Sequence, residues 1–246
     1  MRWLDRLTRT GREPEPASVA EQMAAALAHA RGGDHAAALA IWGPLAHAGV
    51  ARAQNNVGAC FAEGLGVEAD PALAARWLGL AASAGDPISQ RNLATLHFRG
   101  AGVEQDDRRA LALYRAAAEQ GDAVSQDMLS WMLAEEGGAA FDPTAARIWA
   151  RHAAEQGVAS AMTRLGMLHH HALGGERDAA EAARWWRMAA ERGDADAQAM
   201  LGAAYHLGAG LPKDPIEAHV WLTRAAAGGS AHAGRYLTAV RAALDP

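Results

Sequence analysis

The stretch Ala182–Gly210, AARWWRMAAERGDADAQAMLGAAYHLGAG, recurs in variant form along nearly the whole chain. Its marker is Gly193: steps of 36 residues in either direction land on Gly49, Gly85, Gly121, Gly157 and Gly229, with no insertion or deletion between them. The same step links Ala38, Ala74, Ala110, Ala146, Ala182 and Ala218, and again Asp34, Asp70, Asp106, Asp142, Asp178 and Asp214. Residue types locked to one period mean a repeat array, in which each unit packs only on its neighbours.

Inside each unit the register aspartate starts a helix, because its carboxylate can accept from the free backbone N–H groups of the first turn. Asp70-Pro71, Asp142-Pro143 and Asp214-Pro215 add proline at the first helical position, where its missing N–H costs nothing. After Asp178 come Ala182, Trp185, Trp186, Met188, Ala189 and Ala190, and Gly193 ends the helix in the left-handed conformation that glycine adopts cheaply. A second helix starts at Asp194, with Asp86, Asp122 and Ser230 as the corresponding caps. Val50 and Val158 break that pattern and predict less well capped helices. The second helix buries Ala197, Leu201, Ala204 and Tyr205 on one face, and Gly208 and Gly210 close it.

Stacked hairpins of this kind predict an all-α, right-handed α-solenoid of helix-turn-helix repeats with a concave and a convex side. Residues 1–16 read as a short helix and linker, 17–33 as a capping helix, and 34–246 as six stacked repeats. Two small-residue registers, Ala46/Ala82/Ala118/Ala154/Ala190/Ala226 and Ala53/Ser89/Ser125/Ala161/Ala197/Ala233, let helices approach closely. Trp77, Trp149, Trp185 and Trp221 share a further register with Ile41 and Leu113 and are expected as core anchors.

Met1–Thr10 carries Trp3, Leu4 and Leu7 at helical spacing beside Arg2, Arg6 and Arg9, a pattern suited to docking on a membrane surface or a partner. It lacks the apolar core and cleavage site of a signal peptide, and no run in the chain has the length of a membrane span. A cytoplasmic protein is expected. The net charge of -5 disfavours nucleic acid as partner. The single cysteine, Cys60, has Leu96, Met132, Leu168 and Ala204 as register equivalents and reads as a small core residue.

The unit resembles the Sel-one-like repeat (SLR) family, relatives of tetratricopeptide repeats, whose pattern is roughly A..WY.KAA..G...A...LG..Y..G.GV..D. Ala182, Trp185, Trp186, Ala189, Ala190, Gly193, Ala197, Leu201, Gly202, Tyr205, Gly208, Gly210 and Asp214 carry the match, with similar matches from Asp34 to Leu237. Ser130, Glu136, His169 and Ala172 depart from it and predict reshaped hairpin ends. The resemblance implies a non-enzymatic protein-interaction scaffold or adaptor that binds a protein or peptide in its concave groove. Secreted, cysteine-rich members linked to penicillin binding or weak beta-lactam hydrolysis provide the alternative, but they carry a cysteine pair in each repeat.

His169, His170 and His171 diverge by about 100° per residue on a helix, so they cannot meet at one ion. His170 and His206 share a register without a third ligand, and no metal or other cofactor is expected. His97 and His169 fall where other repeats place Phe61, Leu133 and Tyr205, which predicts imidazoles used as packing rings. Arg115, Arg151 and Arg187 form a ladder on successive first helices, each followed by Glu119, Glu155 or Glu191 four residues on. These are either solvated i,i+4 pairs or a groove border that recognises an acidic peptide. No P-loop, nucleophile elbow, H-E-x-x-H helix or dinucleotide fingerprint is present, and no catalytic residue is assigned.

Overall fold

A computed structural model describes residues 17–244, so Trp3, Leu4, Leu7 and the proposed linker lie outside the described residues. Among those described there are thirteen α-helices and no strand. They divide into two compact units, Met1–Asp106 and Asp107–Pro246. The first holds α1 (Val19–Arg31), α2 (His35–His47), α3 (Ala51–Glu63), α4 (Pro71–Ser83) and α5 (Pro87–Arg99). The second holds α6 (Asp107–Glu119), α7 (Ala123–Ala134), α8 (Pro143–Glu155), α9 (Ala159–His170), α10 (Ala179–Ala190), α11 (Ala195–Leu207), α12 (Pro215–Ala227) and α13 (Ala233–Leu244).

Capping follows the sequence closely. The carboxylates of Asp34, Asp70, Asp142, Asp178 and Asp214 each accept from a first-turn N–H of the helix they precede. Asp86, Asp122 and Asp194 cap second helices in the same way, whereas Val50 and Val158 offer no side-chain bond. Ser230 is different: α13 starts only at Ala233, and the Ser230 hydroxyl accepts from the His232 N–H at 3.3 Å while donating to Asp196 at 2.7 Å. At α1 a further cap is present, with the Ser18 hydroxyl and the Glu21 carboxylate bonded reciprocally to each other's backbone N–H.

The six marker glycines take φ between 83° and 94°. That left-handed residue lets the next N–H reach five residues back into the helix, as Val50 does to Leu45 and Asp194 to Ala189. A glutamine then ties four of the hairpins together. Gln54, Gln90, Gln126 and Gln198, spaced by the repeat, donate to the carbonyls of Ala46, Ala82, Ala118 and Ala190 on the preceding helix.

Each helix packs on the one before and after it within its unit, and α3 also touches α5, α7 touches α9 and α11 touches α13. Ala53, Ser89, Ser125, Ala161, Ala197 and Ala233 are fully buried and account for that approach of second helices. The Ala38-to-Ala218 register is likewise fully buried.

The tryptophan expectation is corrected. Of the register Trp77, Trp149, Trp185 and Trp221, only Trp185 is buried. The large core side chains sit one residue later, at Trp42, Leu78, Tyr114, Trp186 and Leu222, with Ala150 in the remaining unit. One step along a helix turns a side chain by about 100°, enough to move it from the seam to its edge. Glycines on the preceding second helices accommodate this bulk. A Cβ on Gly58 would lie 2.8 Å from Leu78 Cγ, one on Gly202 would lie 2.7 Å from Leu222 Cγ, and one on Gly166 would strike the Trp186 indole. Ser130, at the same register, faces a unit whose seam residue is only Ala150, and its hydroxyl donates to Ala146 O at 2.9 Å.

The two departing hairpin ends behave differently. Gly66, Gly102, Gly174 and Gly210 lie directly on the first turns of α2, α4, α8 and α10, where a Cβ would collide with backbone. Gly138 makes no such contact in its unit, so that loop is reshaped as its sequence predicts. Ala172, in contrast, keeps the left-handed geometry of its glycine counterparts, at φ 59°.

Candidate functional site

Within each described unit neighbouring second helices touch one another, and in the first unit two depressions open beside them. In the first unit a groove of about 210 Å³ is lined by Ala59 and Glu63 of α3, Pro71 and Leu78 of α4, and Asn92, Thr95 and Arg99 of α5. Met23, Ala24 and Leu27 of α1 line a separate depression with Arg52 and Asn56 of α3. Met23, Ala59 and Thr95 are one register, and its members in the second unit are Trp131, Met167 and Ala203. The neighbouring Asn56/Asn92 register becomes Met128, Arg164 and Met200. In the second unit these registers carry half-buried Met128, Trp131, Met167 and Met200 beside Arg164 and Ala203. Val124 and Leu207 extend the same face and are exposed.

Polar bonds join adjacent second helices beneath this face. Asn55, buried, accepts from Asn92 Nδ2 at 3.1 Å and donates to Asn56 Oδ1 at 3.1 Å. One repeat pair on, the buried Asp127 carboxylate accepts from Ser160 Oγ at 2.6 Å and from Arg164 at 3.1 Å. Only tertiary contact reveals these partners, because their sequence separations do not follow a single residue type.

The arginine ladder lies elsewhere. Arg115, Arg151 and Arg187 stand on α6, α8 and α10, first helices that do not pack on one another as the second helices do. Small second-helix side chains permit close approach on that side. No ion pair joins these arginines to Glu119, Glu155 or Glu191 among the described residues, and all three glutamates are exposed. Arg187 instead donates to Tyr205 Oη at 2.6 Å, with its guanidinium 5.8 Å from that ring's centroid.

His97 and His169 are buried, as packing rings should be. Arg147 reaches across from α8 to bond the His169 ring and also donates to Glu176 O at 3.3 Å. Burial first, and then the Arg147 charge, pull the His169 pKa below its ordinary value. His170 is shifted in the same direction, chiefly by burial and then by His171; its ring lies 5.5 Å from Trp186. Among the described residues no three His, Cys, Asp or Glu side chains converge as metal ligands do. Cys60 is buried, and desolvation raises its thiol pKa, which disfavours the reactive thiolate.

A profile of the Sel1 repeat matches residues 51–86, 87–122, 123–158, 159–194 and 195–230 without a gap. The chain belongs to the Sel1 repeat family. Each Sel1 unit starts at a second helix and ends with the following first helix, so α1, α2 and α13 fall outside the matched units. A Sel1 repeat protein from Oxalobacter formigenes superposes with a TM-score of 0.83 at 27% identity, covering 89% of this chain and 87% of that one. The c5321 protective antigen of uropathogenic Escherichia coli, which displays an SLR fold, gives 0.60 at 28% identity, covering 88% and 55%. A sel1 repeat protein from Klebsiella pneumoniae shares the fold at 21% identity, with a TM-score of 0.51 and coverage of 81% and 97%. No curated protein matches the chain significantly. Sel1 repeats form all-α solenoids and generally mediate protein–protein interactions. No helix among the described residues is long and apolar enough to cross a membrane.

Proposed function

We propose that this Sel1 repeat protein is a non-catalytic scaffold that holds a segment of a partner protein along its second-helix face. One observation carries the reading: Met128, Trp131, Met167 and Met200 occupy groove-facing registers and remain half-buried instead of joining the core. Methionine is unbranched and polarisable and adapts to irregular partner surfaces, while tryptophan supplies a large anchor. The glycines and aspartates of the repeat are already employed in turns and caps, which leaves them no role in chemistry.

Photo-crosslinking distinguishes the two sides of the array. A crosslinker replacing Met167 or Thr95 is expected to capture a partner in cells, and one replacing the exposed Ile148 of α8 is not. Charge reversal at Arg151 is expected to leave that capture intact. Adducts formed only from Ile148 would reject the second-helix face.

A further inference from the structure

We propose that Arg147 and His169 form a pH-sensitive latch on the hairpin end between α9 and α10: the loop is held while the imidazole is neutral and is released when it takes up a proton. The latch does not depend on which face of the array holds a partner.

Three residues that coincide in one repeat build it. At the register of His169 the other units carry Phe61, His97, Leu133 and Tyr205, and at that of Arg147 they carry Leu39, Ala75, Leu111, Ala183 and His219. Where Gly175 stands, they carry Val67, Val103, Ala139 and Leu211. The arginine uses the space that the glycine leaves, since a Cβ on Gly175 would strike the Arg147 guanidinium.

In the first unit the loop is held by a histidine alone: His97 Nδ1–H donates to Glu104 O at 3.4 Å. Two repeats on, Glu176 O accepts from Arg147 Nη1 at 3.3 Å, and Arg147 Nη2 donates to the His169 ring. The guanidinium has taken the imidazole's place on the loop carbonyl and uses the imidazole as its own acceptor. Every guanidinium N–H is a donor, so the ring nitrogen it meets must carry a free lone pair. An imidazolium has none. A proton on His169 therefore breaks that bond and sets a second cation against Arg147. The loop so held is closed by Leu173 N–H to Leu168 O at 2.9 Å and by Asp178 N–H to His169 O at 3.0 Å, with Gly174 seated on the first turn of α8.

The charges around the ring set the direction. His169 is buried, and α8 presents Arg147 and Arg151 to it. Asp178 and Glu181 face it from α10 with the opposite sign, but Asp178 caps that helix and Glu181 is committed to Arg184 and to Trp185 Nε1–H. The α7 carboxylate of Asp127 is bound to Ser160 and Arg164, earlier on α9. Beside the ring in sequence lie His170, His171 and Arg177, all cationic in acid. Burial, and then the Arg147 charge, hold the His169 pKa below its ordinary value of about 6.5. The closed latch is therefore unaffected above that pH and weakens as pH falls from there toward the lower pKa of the closed form.

Amide exchange of the full chain is followed by NMR between about pH 7.5 and 5, each rate divided by the unstructured-peptide rate at the same pH. Protection of the Leu173 and Asp178 N–H groups is expected to fall about tenfold across that range, the scale of one hydrogen bond to a charged group. The Asp214 N–H, bound to Tyr205 O at 3.1 Å in the corresponding loop of the last repeat, is expected to keep its protection. The fall should share its midpoint with the ring titration of His169 and not with that of His170. His169→Phe, with Phe61 as precedent, is expected to abolish the pH dependence, and Arg147→Leu, copying Leu111, to lower Asp178 protection about tenfold already at neutral pH. Constant protection of Asp178 in the wild-type chain, a parallel fall at Asp214, or an unchanged pH dependence in His169→Phe overturns the latch. The wild-type comparison of Asp178 with Asp214 decides the matter whether or not either variant folds.

Discussion

The pairing of glycine with a large seam residue yields a double-mutant test at Gly166 and Trp186. Trp186 is 3% exposed, and its Nε1–H donates to Thr163 O at 3.3 Å. Replacing it with alanine removes the indole and leaves a cavity, for an expected loss of about 3 to 5 kcal/mol. Gly166→Ala places a methyl group against the indole Nε1 and Cδ1. Overpacking of that kind costs about 1 to 3 kcal/mol, offset by about 1 kcal/mol because alanine favours the helix over glycine. In the Trp186→Ala background the collision is gone, so only the helical gain remains and Gly166→Ala should stabilise. The coupling is therefore about 1 to 3 kcal/mol. Ser130 and Ala150 show that this chain already tolerates a bulkier second-helix residue where the seam residue is small. Urea unfolding followed by far-ultraviolet circular dichroism measures the cycle, with amide exchange in α9 and α10 reporting local loss within the array. Additivity within about 0.5 kcal/mol would refute the proposed contact.

Ala172→Gly relieves an exposed residue at φ 59° and should stabilise by about 0.5 to 1 kcal/mol, raising Tm by about 1 to 4 °C in a thermal melt. Gln126→Met copies the buried Met162 of the next unit but removes the bonds to Ala118 O and from Gln156 Nε2; a loss of about 1 to 3 kcal/mol in urea unfolding is expected. His169 titrates lower in the folded chain than its ordinary value, about 6.5, so below that pH the unfolded chain binds more protons. Stability is therefore present above about pH 6.5 and falls as pH drops through the lower folded pKa. Arg147 and Arg151 push in that direction, while Glu181 and Asp178 oppose it. His169→Phe, with Phe61 as its register precedent, should flatten the dependence of the urea midpoint between about pH 7 and 5, leaving the part due to His170.

The one-dimensional repeat was enough to determine the helical units, their caps and their turns, because those depend on residues adjacent in the chain. Gly193 ends a first helix and Asp194 caps the next whatever surrounds them. The glutamine register was equally present in the sequence, as Gln54, Gln90, Gln126 and Gln198, although its carbonyl partners became identifiable only with the hairpins formed. Periodicity states that a position recurs but not the direction its side chain takes; adjacent positions on one helix diverge by about 100°. Tertiary packing alone distinguished Trp186 in the seam from half-buried Trp149, and joined Asn55 to Asn92. It also brought the second helices together through their small buried residues, while Arg115, Arg151 and Arg187 stand on the first helices.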